Sequence, residues 1–132
     1  MASPREKGPR EKGLQVLSDT LGPDMAAAIA GTADAGAGFG PEQARWTLDF
    51  AYGEVWARGG LERKLRSTAV IGMLIGQGHL EELKYHVRIG IANGLTRTEL
   101  EEIFYTAIPY CGFPAANVAK AAMLDALGEG MA

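Results

Sequence analysis

The hydrophobic positions of the chain recur at steps of three and four residues, which is the spacing of an amphipathic helix. One clear example is the set Leu100, Ile103, Phe104 and Ala107. No window alternates apolar and polar residues convincingly with the period of two that a half-buried strand requires. The pattern therefore predicts an all-α fold with six or so helices.

Glycine, proline and capping residues divide this pattern into helices. The predicted elements are a short helical stretch over residues 14–21, a short helix over 25–30, a flexible connection over 31–40, and longer helices over 41–56, 61–77, 79–92, 96–109 and 114–127. Thr96 and Glu99 form a capping box, which fixes the start of one helix. Pro109 removes a backbone hydrogen bond, so the same helix should kink or end there.

The apolar content also predicts which helices are buried. The segment 69–75 is apolar all round, so we expect it to be the buried part of a central helix. Apolar side chains nearly encircle the helix 41–56, which indicates burial on more than one side. Residues 1–12 carry a repeated Pro-Arg-Glu-Lys-Gly unit and little to bury. We expect them to form a flexible tail, followed by one domain over residues 13–132.

Composition and charge exclude several classes of protein. Hydrophobic residues are 47% of the 132 residues and charged residues 22%, which is typical of a soluble globular domain. A net charge of -3 argues against a nucleic-acid binder. The start of the chain lacks an apolar leader, and the apolar stretch 69–76 is too short to cross a membrane, so we expect a cytoplasmic protein. The single cysteine, Cys111, excludes a disulfide within the chain and is expected to be a small buried hydrophobe.

The helix 79–92 carries the residues best suited to chemistry. His79, Glu82 and His86 share one stripe at steps of three and four, beside the core positions Leu83 and Val87. A half-dry stripe of this kind could hold proton-transfer groups. The alternative is the ordinary polar edge of an amphipathic helix. A metal site would need a further ligand from elsewhere, and we expect none.

Cations and aromatic residues supply candidates for substrate binding. Arg58, Arg63, Lys64 and Arg66 crowd the start of the central helix, and Arg66 is the candidate for binding a carboxylate. The alternative for these cations is a solvated face with Glu62 as partner. Trp56 and Tyr110 lie beside glycine or proline breaks, which makes them candidate pocket walls, although such residues more often belong to a core or an interface.

Several short motifs, taken in order, resemble the carboxymuconolactone decarboxylase family. They are Tyr52-Gly-Glu-Val-Trp-Ala-Arg58, Leu61-Glu-Arg-Lys-Leu-Arg-Ser67 and Glu81-Glu-Leu-Lys-Tyr-His86, followed by segments at 93–96, 101–103 and 110–117. The resemblance covers about residues 12–127. It implies a compact alkylhydroperoxidase D-like all-α fold and a homo-oligomer, such as a trimer or hexamer, with pockets near the subunit interfaces.

The resemblance also separates the two branches of this family. The thiol peroxidase branch has a Cys-x-x-Cys motif, a following histidine and an upstream glutamate. His86 matches that histidine, but His79 and Glu82 stand at the cysteine positions and Ser67 at the glutamate position. Peroxidase chemistry needs both thiols, so the resemblance implies the decarboxylase branch.

In that branch the implied reaction is decarboxylation of γ-carboxymuconolactone to the β-ketoadipate enol-lactone, in aromatic catabolism through protocatechuate. No organic cofactor is expected, because the lactone itself accepts the electrons that CO2 leaves behind. His86 is the expected general acid, Glu82 orients it, and His79 holds the lactone oxygen or a carboxylate. Arg66 is expected to bind a carboxylate, and Trp56 and Tyr110 are expected to form pocket walls.

Two other functions stay open from the sequence. The first is a related lyase or isomerase acting on another lactone or cyclic acid, for example in secondary metabolism, because the Ala- and Gly-rich segment 25–40 departs from the family pattern. The second is a non-catalytic oligomeric binding protein that keeps the helical assembly. In each case the partners are small molecules and further copies of the chain, with no nucleic acid and no membrane.

Overall fold

The computed structural model describes residues 6–129, and within this range the chain is helical with no strand. The elements are α1 (Pro9–Leu21), α2 (Pro23–Ala35), α3 (Pro41–Trp46), a π-helical segment (Thr47–Trp56), α4 (Arg63–Gln77), α5 (Leu80–Ala92), α6 (Arg97–Cys111) and α7 (Phe113–Ala126). The predicted all-α class is confirmed. By Cα proximity the chain divides into an N-terminal unit ending at Gly60 and a C-terminal unit beginning at Leu61.

The start of the chain is more helical than the sequence pattern indicated. Residues 1–5 of the predicted tail lie outside the described range, whereas residues 9–12 form the first turn of α1. Pro9 stands in that first turn, where its missing N–H costs nothing. Helix α2 also extends to Ala35, beyond the predicted end at residue 30, so the connection shortens to residues 36–40.

In the N-terminal unit, α1 packs backbone to backbone against the π-helical segment. Gly13 and Gly53 make this possible, because a Cβ atom at Gly13 would overlap the carbonyl of Leu48, and one at Gly53 would overlap the carbonyl of Pro9. The Arg10 guanidinium adds ion pairs to the carboxylates of Asp49 and Asp34, at 2.6 Å and 2.8 Å, and thereby joins α1 to the segments that follow.

A helix does cover the predicted residues 41–56, but it is α-helical only as far as Trp46 and π-helical from Thr47. In the π-helical part the backbone hydrogen bonds span five residues instead of four; for example, the N–H of Ala57 donates to the carbonyl of Tyr52 at 3.1 Å. The expected burial on several sides is wrong for part of this helix, since Trp46 and Phe50 are 63% and 58% exposed.

In the C-terminal unit, α5 packs against α4 and α7, and α6 packs against the same two helices. Their core consists of apolar side chains from all four helices, including Ile71, Ile75, Leu83, Val87, Leu100, Ala119 and Met123. The capping box of α6 is confirmed: Thr96 Oγ1 accepts from the N–H of Glu99, and the Glu99 carboxylate accepts from the N–H of Thr96. Helix α6 continues through Pro109 and ends at Cys111, so of the two predicted outcomes, a kink or an end at Pro109, the end is wrong.

Segment 69–75 of α4 is buried on one side only. Ile71 and Ile75 are fully buried, but Met73 is 61% exposed. The prediction that this segment is buried all round is therefore wrong in part, because hydropathy does not reveal on how many sides a helix meets a neighbour. No helix among the described residues is both long and apolar enough to cross a membrane.

Candidate active site

His86 is held at the edge of the packed face of α5. The neighbouring positions Leu83 and Val87 are fully buried, so the register of the helix leaves the His86 imidazole half-buried. This burial lowers the pKa of His86 below its ordinary value of 6.5, while the nearby charge of Glu82 acts in the opposite direction. The imidazole is therefore mainly neutral near pH 7.

The three residues of the predicted stripe lie along one side of α5. Glu82 is exposed and lies one turn before His86. His79 is the N-cap residue: its carbonyl accepts from the N–H of Leu83 at 2.9 Å, and its own N–H donates to the carbonyl of Leu74 at 3.1 Å. At a rise of 1.5 Å per residue, His79 lies about 10 Å along the helix axis from His86. Glu82 thus couples to His86 electrostatically, whereas His79 could reach only the far end of a bound molecule.

Arg66 lies in the second turn of α4 and has the chemistry of an anion-binding residue. Its side chain is half-buried, and its Nε atom is buried without a hydrogen-bond partner among residues 6–129. A buried guanidinium N–H that lacks an acceptor is costly, and a carboxylate would supply two acceptor oxygens. The neighbouring cation Lys64 instead pairs with Glu99 at 2.9 Å, which gives it a structural partner.

A polar pair beside Arg66, Ser67 and the half-buried Asn93, was not singled out from the sequence. Ser67 is fully buried, and its Oγ accepts a hydrogen bond from Nδ2 of Asn93 at 3.0 Å. Asn93 lies at the C-cap of α5. The two residues are 26 positions apart, so no local spacing pattern could have revealed the bond.

Tyr110 and Cys111 line a separate groove between α4 and α6. The groove has a volume of about 430 Å³ and is lined by Thr68, Gly72, Glu102, Ile103, Thr106, Ala107, Tyr110 and Cys111. Its lining does not include His86, Glu82 or Arg66, so the structure does not join Tyr110 to the α5 stripe. Cys111 is half-buried against the core, and Tyr110 is 86% exposed.

Trp56, the other predicted wall, lies at the end of the π-helical segment of the N-terminal unit. Its side chain is 7% exposed and stacks on Tyr52, with ring centroids 5.9 Å apart. Within the described residues, no group of three or more His, Cys, Asp or Glu side chains is arranged to hold a metal ion.

Comparison of the sequence with known proteins identifies its family. Residues 41–125 match the sequence profile described as the Carboxymuconolactone decarboxylase family. The chain belongs to this family. The matched range runs from the start of α3 nearly to the end of α7, so it contains every candidate site residue and excludes α1 and α2.

Two relatives of the chain carry names of decarboxylases. The 4-carboxymuconolactone decarboxylase of Acinetobacter baylyi is 44% identical over 70 residues, which are 53% of this chain and 52% of that protein. The nitrosuccinic acid decarboxylase npaB of Metarhizium robertsii is 36% identical over 104 residues, which are 79% of this chain and 71% of that protein. The match thus spans about half the length of the Acinetobacter protein.

Proposed function

We propose that the chain is a carboxy-lyase that releases CO2 from a small-molecule carboxylate by acid–base catalysis. The observation that carries this proposal is that both relatives are named decarboxylases although the acids in their names differ. The two names share one reaction, the loss of CO2 from an acid. The half-buried His86, with Glu82 beside it, supplies the proton-transfer group that such a reaction requires.

We propose γ-carboxymuconolactone as the substrate and the β-ketoadipate enol-lactone as the product. The bond between the ring carbon and the departing carboxylate breaks, and its electron pair passes into the unsaturated lactone. The resulting dienolate has its negative charge on the lactone oxygen. One proton is then delivered to carbon, so CO2 and the enol-lactone are the only products. The lactone serves as its own electron sink, and the step requires no organic cofactor.

Arg66 is proposed to bind a carboxylate of the substrate. Its buried, unpartnered Nε supports this role, because a carboxylate could accept from Nε and from a terminal guanidinium nitrogen together. A cation that holds a carboxylate also fixes the substrate relative to the proton donor. Binding in one orientation is a large part of what an enzyme without a cofactor can contribute.

His86 is proposed to deliver the proton, with Glu82 as the group that orients and polarises it. Burial lowers the pKa of His86 in the free protein, so the imidazole must gain a proton as the acidic substrate binds. The carboxylates of the substrate favour this gain, since a nearby negative charge stabilises the imidazolium. His79 would contact the far end of the substrate.

A second candidate substrate is a nitro-substituted dicarboxylate such as nitrosuccinate. The relative named for this acid matches a larger share of the present chain, 79% against 53%. The chemistry is parallel: CO2 leaves the carbon that bears the nitro group, the electron pair forms a nitronate, and one proton returns to carbon. The same arginine and histidine roles would serve this acid.

We also propose a homo-oligomer, a trimer or hexamer, that acts in the cytoplasm on an aromatic breakdown pathway. Exposed apolar side chains on several helices, including Met73, Phe113 and Trp46, support self-association. Light scattering coupled to size-exclusion chromatography tests the assembly, and an elution mass of one 14.0 kDa chain would contradict it.

The deciding experiment compares two substrates. Freshly generated γ-carboxymuconolactone is followed by ultraviolet absorbance, and nitrosuccinate is followed by CO2 release. Turnover of the lactone supports γ-carboxymuconolactone as the substrate. Turnover of nitrosuccinate alone would contradict that assignment and support nitrosuccinate. Turnover of neither acid by the folded protein would contradict the proposal for both acids and favour either another lactone or cyclic acid as substrate or the binding-protein alternative.

A further inference from the structure

A hydrogen bond joins α4 to the C-cap of α5, beside the apolar side chains of Ile71 and Leu95. Among residues 6–129, Ser67 is the one buried polar residue, with no exposed surface. Its Oγ accepts from Nδ2 of Asn93 at 3.0 Å. Apolar packing is non-directional, whereas a hydrogen bond has a preferred distance and angle. The pair therefore fixes how the two helices face each other.

The surroundings of the pair leave little freedom for the helices to adjust. Gly90 lies one turn before Asn93, where a Cβ atom would come within 3.7 Å of the Ser67 Cβ and 3.2 Å of Ile71 Cδ1. The same atom would be only 2.8 Å from Leu95 Cδ1. Helix α4 thus approaches the backbone of α5 closely at the point where the hydrogen bond forms.

The pair is linked directly to the proposed site through both helices. Ser67 follows Arg66, so the rotation of α4 that aligns the Ser67 hydroxyl also sets the direction of the Arg66 side chain. On α5, His86 lies seven residues before Asn93, which is about two turns along nearly the same face. The Ser67–Asn93 hydrogen bond therefore joins the helix that carries Arg66, the proposed carboxylate-binding residue, to the helix that carries His86, the proposed acid.

We propose that Ser67 and Asn93 are positioning residues that set Arg66 relative to His86. A rotation of α4 by about 10° would displace atoms near the helix surface by about 1 Å. A displacement of this size at a reacting centre can cost about 100-fold in rate. Neither residue needs to touch the substrate. This inference rests on the proposed decarboxylase function.

The test uses Ser67→Ala, Asn93→Leu and the double variant in the full-length protein. Each single change leaves a buried polar group or a cavity and should lower both stability and kcat/KM. The double variant replaces both partners by apolar groups, which can restore stability. We expect its urea midpoint to recover while kcat/KM stays at least about tenfold below wild type. Recovery of kcat/KM together with the midpoint would overturn the proposal and assign the pair to packing alone.

Two controls separate positioning from general loss of stability. Thr96→Ala removes the exposed cap of α6 and should lower the urea midpoint without changing kcat/KM. Asn93→Asp retains a hydrogen bond, since its carboxylate can accept from the Ser67 hydroxyl, and should recover part of the kcat/KM lost in Asn93→Leu. A rate in Asn93→Asp no better than in Asn93→Leu would count against the positioning role.

A second readout keeps this test independent of the substrate assignment. If the wild-type protein turns over neither γ-carboxymuconolactone nor nitrosuccinate, the proposed function has failed. The placement of α5 is then read from the NMR titration of the His86 imidazole. A titration midpoint that moves toward 6.5 in the refolded double variant supports the positioning of His86 by the pair. An unchanged midpoint contradicts it.

Discussion

Glu82 lies one turn before His86 on α5, and its negative charge opposes the effect of burial on the His86 imidazole. Burial is the larger influence, so the pKa of His86 lies below 6.5 in the ligand-free protein. Glu82 is exposed, which means that water screens much of its charge. A molecule that covers both side chains would remove this water and strengthen their coupling. The ligand-free and bound states should therefore differ in the protonation of His86.

The first prediction concerns the pH dependence of the two kinetic parameters. If His86 must be protonated, kcat/KM should fall as pH rises through its free-enzyme pKa, which lies below 6.5. The bound carboxylates raise the pKa of His86, so kcat should stay constant to a higher pH. Initial rates over about pH 5 to 8 measure both profiles. A kcat/KM that rises with pH across this window would instead identify the imidazole as a base.

Replacement of His86 gives the second prediction. His86→Gln keeps a polar side chain of similar size but cannot transfer a proton, so kcat should fall at least about 100-fold. The matched control is Arg88→Gln on the same helix, because Arg88 is exposed and its guanidinium lies over the ring of Tyr85, 5.8 Å from the ring centroid. The control should retain wild-type kcat. A His86→Gln protein that is folded and nearly as active as wild type would contradict the assignment.

The third prediction concerns Arg66. Arg66→Lys keeps the positive charge but loses Nε and the planar fork that can bind a carboxylate through two hydrogen bonds. We expect KM to rise about tenfold or more, corresponding to one charge-assisted hydrogen bond of about 1.5 kcal/mol, with a smaller change in kcat. Lys120→Gln on the exposed surface of α7 is the control for loss of a cation. An unchanged KM would remove Arg66 from the binding site.

The fourth prediction is a stability effect of the same buried imidazole. The pKa of His86 is lower in the folded state than its unfolded value of 6.5, so the unfolded chain binds more protons between these two values. The contribution of neutral His86 is complete above about pH 6.5 and is lost as pH falls through the folded-state pKa. Urea unfolding at a series of pH values should show this loss as a fall in the free energy of unfolding. The fall should be smaller in His86→Gln. An equal dependence of the free energy of unfolding on pH in both proteins would argue against a buried neutral imidazole.

Features set by neighbours in the sequence were predictable. The capping box at Thr96 and Glu99 depends on two residues three positions apart, and the structure confirms it. The α5 stripe was predictable for the same reason, since the helix repeat alone puts His79, Glu82 and His86 on one side. Its role in catalysis stays a prediction, because helix geometry does not reveal what binds there.

Features that depend on distant parts of the chain were not predictable. The Ser67–Asn93 bond joins two helices, and Arg10 reaches carboxylates 24 and 39 residues away. The change from α- to π-helix after Trp46 has no signature in the spacing of apolar residues. The exposure of Met73 follows from which sides of α4 meet a neighbour, which hydropathy does not encode.

The last prediction concerns the contact between α1 and the π-helical segment. Gly53→Ala would place a Cβ atom against the Pro9 carbonyl, and because backbone atoms cannot turn aside, the helices must separate. We expect a loss of about 1–3 kcal/mol or more in the free energy of unfolding. Gly31→Ala is the matched control, since Gly31 lies inside α2 with open space around its Cα, and alanine should stabilise that helix by up to about 1 kcal/mol. Urea unfolding of both variants measures the difference. Equal midpoints in the two proteins would show that α1 does not depend on close contact at Gly53.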